Sequence, residues 1–172
     1  VWKYLDDGSD QGTAWVSPSF DDSAWASGPA PLGYSDSNGR LPATTNSFGP
    51  NMNAKWTNTY YRQSFTVANT ASFSQILLSI ERDDGAVVYL NGAEIGRFNM
   101  PTGIITSTTT ASGVAGDDGS TIFNLNLNPS VFQEGVNTLA VEIHQDSPNS
   151  SDIWFQMRLI GIPIIIHNLS PI

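Results

Sequence analysis

The sequence lacks cysteine, and this absence excludes disulfide bonds from whatever stabilises the fold. The chain of 172 residues can still bury roughly 70% of the surface that its unfolded form exposes, so a hydrophobic core suffices without cross-links. It also lacks a run of about 20 apolar residues, which excludes a transmembrane helix. No signal peptide is visible in the sequence, whose residues 1–4 are already strand-like, and we expect the chain to be a segment of a longer protein.

Basic residues are scarce as well, since 7 Lys and Arg stand against 16 Asp and Glu and the net charge is −9. Nucleic acids and anionic membranes bind basic protein surfaces, so we expect neither as a partner. Only 13% of residues are charged, and Ser, Thr, Asn and Gly supply much of the polar surface. Because helical proteins usually depend on Lys, Glu and Arg, this composition favours strands and loops.

Strand patterns dominate what is present. Apolar and polar residues alternate with a period of two, which is typical of half-buried strands. Asn91-Gly92 joins two apolar stretches and predicts a hairpin, because both residues tolerate a positive φ. Before residue 60 the chain is turn-rich, with one helical turn expected near residues 21–25. We therefore predict an all-β, antiparallel β-sandwich of about eight or nine strands over residues 1–161, followed by a strand extension or linker at residues 162–172.

Four motifs together resemble the galactose-binding-like jelly-roll domains. They are FDDSAW at residues 20–25, YYRQSF at 60–65, RDDGAVVYLNG at 82–92 and GVNTLAV at 135–141. The sequence is most similar to the non-catalytic sugar-binding domain of family 2 glycoside hydrolases and to related modules of bacterial secreted multidomain proteins. That resemblance implies a jelly roll, a secreted or cell-surface location, end loops that hold a glycan, and often a structural calcium. The fold alone does not identify the ligand.

Three aromatic residues are candidates for contact with a sugar, whose C–H faces stack on exposed rings. Trp154 alternates with Gln156 and Arg158, which places it on the more polar face of its strand and predicts exposure. Trp56 and Tyr34 lie in or beside loops. Core packing is the alternative for each of the three rings.

Three further candidates for ligand contact are polar. Asp83 and Asp84 could accept hydrogen bonds from sugar hydroxyls, or form a turn in which Asp binds backbone N–H groups and Arg82 balances the charge. Adjacent strand residues face opposite ways, so this pair does not suit the two carboxylates of a glycosidase. His144, two residues after Glu142, could contact a ligand or anchor a loop through a hydrogen bond.

Two acidic clusters could supply part of a calcium site. One comprises Asp6, Asp7 and Asp10, and the other comprises Asp117 and Asp118. Calcium takes six to eight oxygen ligands from carboxylates, carbonyls and water, which such loops can provide in part. Turn residues facing solvent are the alternative for each cluster. Calcium is accordingly the one cofactor that we expect.

The sequence favours a domain that binds polysaccharide or another glycan, is not an enzyme, and contacts neighbouring domains of its parent chain. The alternative is a structural spacer or protein-interaction domain, which the apolar stretch at residues 162–166 would suit. An enzyme would need a cleft that gathers Glu142, His144 and Arg82 with a nucleophile or metal. No Gly-x-Ser-x-Gly motif and no Cys nucleophile are present, and only two His residues occur.

Overall fold

The computed structural model describes residues 1–34 and 39–165, and in these residues the secondary structure is almost entirely strand. Three short 3-10 helices occur at Ala14–Val16, Thr70–Ser72 and Pro129–Val131. Among the described residues, none of the helices has the length and apolar character needed to cross a membrane. The eleven strands are β1 (Trp2–Leu5), β2 (Ala26–Gly28), β3 (Leu32–Tyr34), β4 (Thr44–Thr45), β5 (Asn58–Val67), β6 (Phe73–Asp83), β7 (Gly85–Leu90), β8 (Ala93–Phe98), β9 (Phe123–Leu127), β10 (Gly135–His144) and β11 (Ile153–Pro163).

The strands form two sheets. The six-stranded sheet has the order β2-β1-β5-β10-β7-β8, and the five-stranded sheet has the order β4-β3-β11-β6-β9. Every pairing is antiparallel except the short parallel contact of β3 with β4. The predicted all-β sandwich is confirmed. The strand count exceeds the predicted eight or nine because β2, β3 and β4 have only two or three residues each, too few to show an alternating pattern.

The local predictions from turn chemistry hold in part. Asn91 and Gly92 have φ angles of 51° and 88° and join β7 to β8, so the hairpin is confirmed. Residues 21–25 contain a hydrogen-bonded turn but no helix, and the first 3-10 helix lies earlier, at Ala14–Val16.

The proposed boundary at residue 161 falls inside β11. Residues 166–172, which include His167, lie outside the described residues, and the division into domain and extension stays a prediction.

The main core lies between the two sheets. The rings of Tyr61 and Phe155 lie 4.4 Å apart between their centroids, and Trp2 meets Phe155 edge-on at 4.9 Å. Leu78 and Ile80 of β6 are fully buried against them. Burial of side chains of this size stabilises the fold by about 1.5–3 kcal/mol each, so the sandwich does not need disulfides.

A second apolar layer covers the outer face of the six-stranded sheet. Trp15 and Trp25 of the segment between β1 and β2 are buried there against Tyr60 of β5. Arg62 of β5 fastens that segment, because its guanidinium donates hydrogen bonds to the Asp22 carboxylate at 2.8 Å and to the carbonyl oxygens of two residues of the segment. The last eight residues of β10 are consequently buried on both faces of the sheet.

Candidate functional site

Three carboxylates converge where β6 ends and β11 begins. Asp83 is the last residue of β6, Asp118 lies in the loop between β8 and β9, and Asp152 directly precedes β11. One carboxylate oxygen of each lies within 4.8 Å of those of the other two. Asp83 and Asp152 are 2% and 5% exposed, whereas Asp118 is exposed. We call these three residues the acidic cluster.

Backbone pairing and a buried brace hold the acidic cluster together. Asp83 pairs with Trp154 across β6 and β11, which brings Asp152 beside it. Asp84 accepts hydrogen bonds from the backbone N–H groups of Ala115 at 2.7 Å and Asp146 at 2.9 Å. Asp84 therefore ties the two loops that flank the cluster. It accepts backbone N–H groups as the turn interpretation proposed, but from distant loops, and Arg82 lies near Asp117 instead of balancing its charge.

Asp83 has no basic partner among the described residues. No basic side chain or backbone N–H of the described residues donates a hydrogen bond to its carboxylate, and the guanidinium of Arg82 instead lies 3.8 Å from Asp117. Burial, followed by the neighbouring Asp84 and Asp152, raises the pKa of Asp83 to about 9. A buried carboxylate among other carboxylates is costly unless a proton or a cation neutralises it.

The acidic cluster fits the donor chemistry of calcium. Calcium–oxygen distances are about 2.3–2.6 Å, so two ligands of one ion lie at most about 5 Å apart. The spacing within 4.8 Å satisfies that limit, and all three donors are carboxylates, which calcium prefers. An ion held by Asp83, Asp118 and Asp152 would neutralise the negative charge that gathers around Asp83.

The acidic residues near the N-terminus are not brought together in this way. The Asp6 carboxylate accepts the backbone N–H of Ser47 at 2.6 Å. Asp7 and Asp10 each accept the backbone N–H two residues further along the chain, at 2.9 Å in both cases. Among the described residues, the three carboxylates that converge do not include Asp6, Asp7 or Asp10. Asp7 and Asp10 act as turn residues, the alternative that their sequence pattern allowed, whereas Asp6 ties the end of β1 to the distant backbone at Ser47.

The second predicted cluster is divided between two roles. Asp118 belongs to the acidic cluster, whereas Asp117 accepts the backbone N–H of Thr121 at 2.7 Å. Sequence reasoning did not assign Asp83 or Asp152 as metal ligands, because only the pairing of β6 with β11 makes them neighbours. No local spacing in the sequence could have identified the triad.

The predicted exposure of Trp154 is wrong. Its side chain is 5% exposed, and its indole N–H donates to the Glu81 carboxylate at 3.1 Å. The Arg40 guanidinium lies 3.8 Å above the ring, and the loop at Gly119 packs against its Cβ. Alternation along β11 did place Trp154 on the more polar face, but long-range contacts cover that face.

The other two aromatic candidates differ from each other. Tyr34 is only 7% exposed, its hydroxyl accepts a hydrogen bond from the Gln145 amide, and Phe48 packs edge-on at 5.4 Å, so its ring is packed in the fold. Trp56 is half-buried, and its indole lies so close to Gly8 that a side chain there would collide with it. Contact of these aromatic residues with a sugar stays a prediction.

His144 takes part in a buried polar chain. It is fully buried, and its Nδ1 lies 2.7 Å from the carbonyl oxygen of Thr109, so Nδ1 carries a hydrogen and donates it. Its Nε2 lies 3.1 Å from Glu142 Oε2, without the alignment of a hydrogen bond. The hydroxyl of Tyr89 donates to Glu142 Oε1 at 2.8 Å. His144 thus anchors the loop that carries Thr109, as one of its two interpretations proposed.

A hollow of about 80 Å³ opens beside Glu142 on the outer face of the six-stranded sheet. Its floor consists of Tyr60, Tyr89 and Glu142 from three adjacent strands, and Trp15 packs between the two tyrosines. Residues 12–16 form one wall and residues 105–107 form the other. We call this hollow the Glu142 pocket.

Strand register explains the Glu142 pocket. Glu142 lies opposite Tyr60 on β5, and Tyr89 of β7 lies opposite Ala140, two residues from Glu142 on the same face. Two larger hollows, of about 190 and 230 Å³, lack this combination. The first is lined without an aromatic ring and the second without a carboxylate. Sequence reasoning considered Glu142 only for an enzyme and did not consider Tyr60 or Tyr89.

No protein-family model matches this sequence, and no curated protein is similar to it. Several solved structures share its fold. Beta-glucuronidase 2 of Bacteroides uniformis is 21% identical with a TM-score of 0.55, over 91% of this chain and 17% of that chain. A glycosyl hydrolase family 2 member from Bacteroides cellulosilyticus is 16% identical with a TM-score of 0.54, over 91% of this chain and 19% of that chain. A calcium binding mutant of the B. uniformis enzyme is 19% identical with a TM-score of 0.51, over 91% of this chain and 17% of that chain.

These comparisons establish the fold. The resemblance that the four motifs indicated, to a β-sandwich domain of family 2 glycoside hydrolases, is confirmed at that level. The chain spans less than a fifth of the length of each of these three structures. It therefore corresponds in extent to one small part of such an enzyme.

Proposed function

We propose that this chain is a non-catalytic accessory domain that binds carbohydrate within a larger secreted or cell-surface protein. The observation that carries the proposal is the Glu142 pocket, where a carboxylate and aromatic rings meet in a concave surface. Ligand sites in proteins combine apolar walls with a few convergent polar groups in this way. Binding at such a site would hold an attached catalytic domain near its polysaccharide and raise the effective concentration of substrate.

Carboxylate spacing supports a non-catalytic role. A glycosidase needs two carboxyl groups on opposite sides of the bond to be cleaved, roughly 5–5.5 Å apart when retaining and more when inverting. The Glu142 pocket is lined by a single carboxylate. The carboxylates of the acidic cluster are within 4.8 Å of one another, and two of the three are buried.

We further propose that the acidic cluster binds calcium and that the ion stabilises the loops around it. Asp83 and Asp152 would come from β6 and from the residue before β11, and Asp118 would come from the loop between β8 and β9. The ion would supply the positive charge that Asp83 lacks. It would also fasten the β8–β9 loop, which carries one wall of the Glu142 pocket, to the five-stranded sheet.

A spacer or protein-interaction domain is the second candidate function. Side chains on and directly after β11 leave an apolar surface in solvent: Ile160, Ile162, Ile164 and Ile165 are 37%, 40%, 50% and 75% exposed. Contiguous exposed apolar side chains favour contact with another protein surface.

The two candidates differ in a glycan-array experiment on the whole chain, run in calcium buffer and again with a chelator. Selective binding of polysaccharides or oligosaccharides supports the accessory carbohydrate-binding domain. If no glycan on the array binds in either buffer, the carbohydrate-binding proposal is contradicted and the interaction domain is the better account. Binding that weakens with the chelator supports the role proposed for the acidic cluster.

A further inference from the structure

We infer that the Glu142 pocket takes one uncharged sugar unit at the end of a glycan, with hydroxyl groups donating hydrogen bonds to Glu142, and that it rejects sugars bearing a carboxylate. This inference rests on the proposed function and names the ligand class of that site. Four observations carry it: the acceptors at the floor, the aromatic wall, the size of the hollow and the charge of its lining.

The floor offers hydrogen-bond acceptors. The Glu142 side chain is 4% exposed, and one of its oxygens already accepts from the Tyr89 hydroxyl at 2.8 Å. Each carboxylate oxygen can accept two hydrogen bonds, so acceptor positions remain for a ligand. Burial and the adjacent Glu142 raise the pKa of Tyr89, which keeps its hydroxyl a donor to Glu142. Hydroxyl groups of a sugar are the complementary donors.

The aromatic wall suits the C–H face of a sugar. Trp15 meets Tyr60 with centroids 4.7 Å apart and Tyr89 with centroids 5.7 Å apart, so the three rings form a continuous corner. Trp15 and Tyr60 are each 2% exposed, whereas Tyr89 is half-buried. Tyr89 therefore presents the largest ring surface to a ligand, beside the carboxylate that it orients.

The size of the hollow restricts the ligand to one unit. A cavity of about 80 Å³ holds roughly three water molecules at the volume of about 30 Å³ that each occupies in the liquid, which is room for one edge of a pyranose ring. The segments at residues 12–16 and 105–107 rise on two sides. A polysaccharide chain lying across the sheet would collide with these walls, so the unit enters from a chain end.

The lining carries one charged side chain, Glu142, and no Lys or Arg. His144 lies beneath Glu142, is fully buried and cannot reach a ligand. Arg97 on the neighbouring β8 donates its hydrogen bonds to Glu94 and to the carbonyl oxygens of Pro101 and Gly103. A uronic acid would therefore place its carboxylate near Glu142 without a cation, and like charges at short range repel.

The test is an NMR titration of the whole chain with methyl glycosides of glucose, galactose, mannose and xylose, and with glucuronic acid. We expect a neutral glycoside to shift the Trp15 indole signal and the amide signals of residues 12–16 and 105–107, and glucuronic acid to leave them unchanged. Glu142→Gln should weaken binding of the neutral glycoside about tenfold through loss of a charge-assisted acceptor. Glu134→Gln, the same change on an exposed residue outside the pocket, should not alter it.

A second variant keeps the inference testable if Glu142→Gln fails to fold. Thr13→Lys adds a cation to an exposed wall residue whose side chain makes no capping hydrogen bond, and it should create binding of glucuronic acid. NMR shifts that map outside the Glu142 pocket would overturn the inference, and so would an unchanged sugar affinity in Glu142→Gln. If the glycan array is positive in that case, the proposed function still stands. Stronger pocket binding of tetramethylammonium than of any sugar would also overturn it, since carboxylates and aromatic rings attract organic cations. Absence of any glycan or glycoside binding contradicts both.

Discussion

The acidic cluster and the Glu142 pocket bury carboxylates in opposite ways. Glu142 has a donor within the chain, because the Tyr89 hydroxyl donates a hydrogen bond to one of its oxygens at 2.8 Å. Asp83 faces other carboxylates and receives no donor from the described basic side chains or backbone. The contrast teaches that buried charge is either compensated by the fold or left for something that binds. Substitutions at the two places should consequently change stability with opposite signs.

The largest effect should come from breaking the compensated site. His144→Ala removes the hydrogen bond to Thr109 and leaves the space of a fully buried ring empty, so we expect a loss of about 3–5 kcal/mol in the free energy of unfolding. Urea denaturation followed by tryptophan fluorescence measures it. A loss below about 1 kcal/mol would mean that the buried His144 ring contributes little to the fold.

Calcium should stabilise the uncompensated site by a smaller amount. Adding calcium at about 100 times its dissociation constant to metal-free protein should increase the free energy of unfolding by about 2.7 kcal/mol. Thermal unfolding in calcium and in chelator measures the shift. Asp83→Asn should abolish it, whereas Asp7→Asn, an exposed carboxylate outside the acidic cluster, should retain it. Equal melting temperatures with and without calcium would contradict the calcium proposal.

The pH dependence of the metal-free protein should reveal Asp83 directly. Its pKa is raised from 3.8 to about 9, so between these values the folded state holds a proton that the unfolded state has lost. Stability in chelator should therefore fall as pH rises from about 4 to about 9, by at most about 1.4 kcal/mol per pH unit. Urea midpoints across this range test the slope, and Asp83→Asn should flatten it. A flat profile for the unaltered chain would show that Asp83 is neutralised in another way.

The smallest effect should have the reverse sign. In chelator at about pH 5, the folded state must keep a proton on Asp83 that the unfolded state has lost, because the pKa of Asp83 is raised from 3.8 to about 9. Asp83→Asn removes that cost and should stabilise the chain by about 1.5 kcal/mol. Urea denaturation at about pH 5 checks this value against the unaltered chain. If the variant proves less stable in chelator as well as in calcium, the Asp83 carboxylate has a structural partner that the geometry does not reveal.

Sequence reasoning succeeded where neighbours in the chain control the outcome. Alternation identified the longer strands, and Asn91-Gly92 identified the hairpin, because both signals depend on local backbone geometry. It failed for Trp154, since Arg40 and the loop at Gly119, both far away in the chain, cover the polar face of β11. Burial depends on what packs over a face, and alternation within one strand contains no information about that.

The sequence by itself determined the fold class, the acidic charge balance and the turn chemistry, because residue type and spacing act over a few residues. Tertiary structure alone decided which carboxylates meet. Pairing of β6 with β11 joins Asp83 to Asp152, and the position of β10 between β5 and β7 sets Glu142 beside two tyrosines. The physical reason is that electrostatic and hydrogen-bond partners are defined by distance in space, and residues far apart in the chain acquire that distance only when the sheets form.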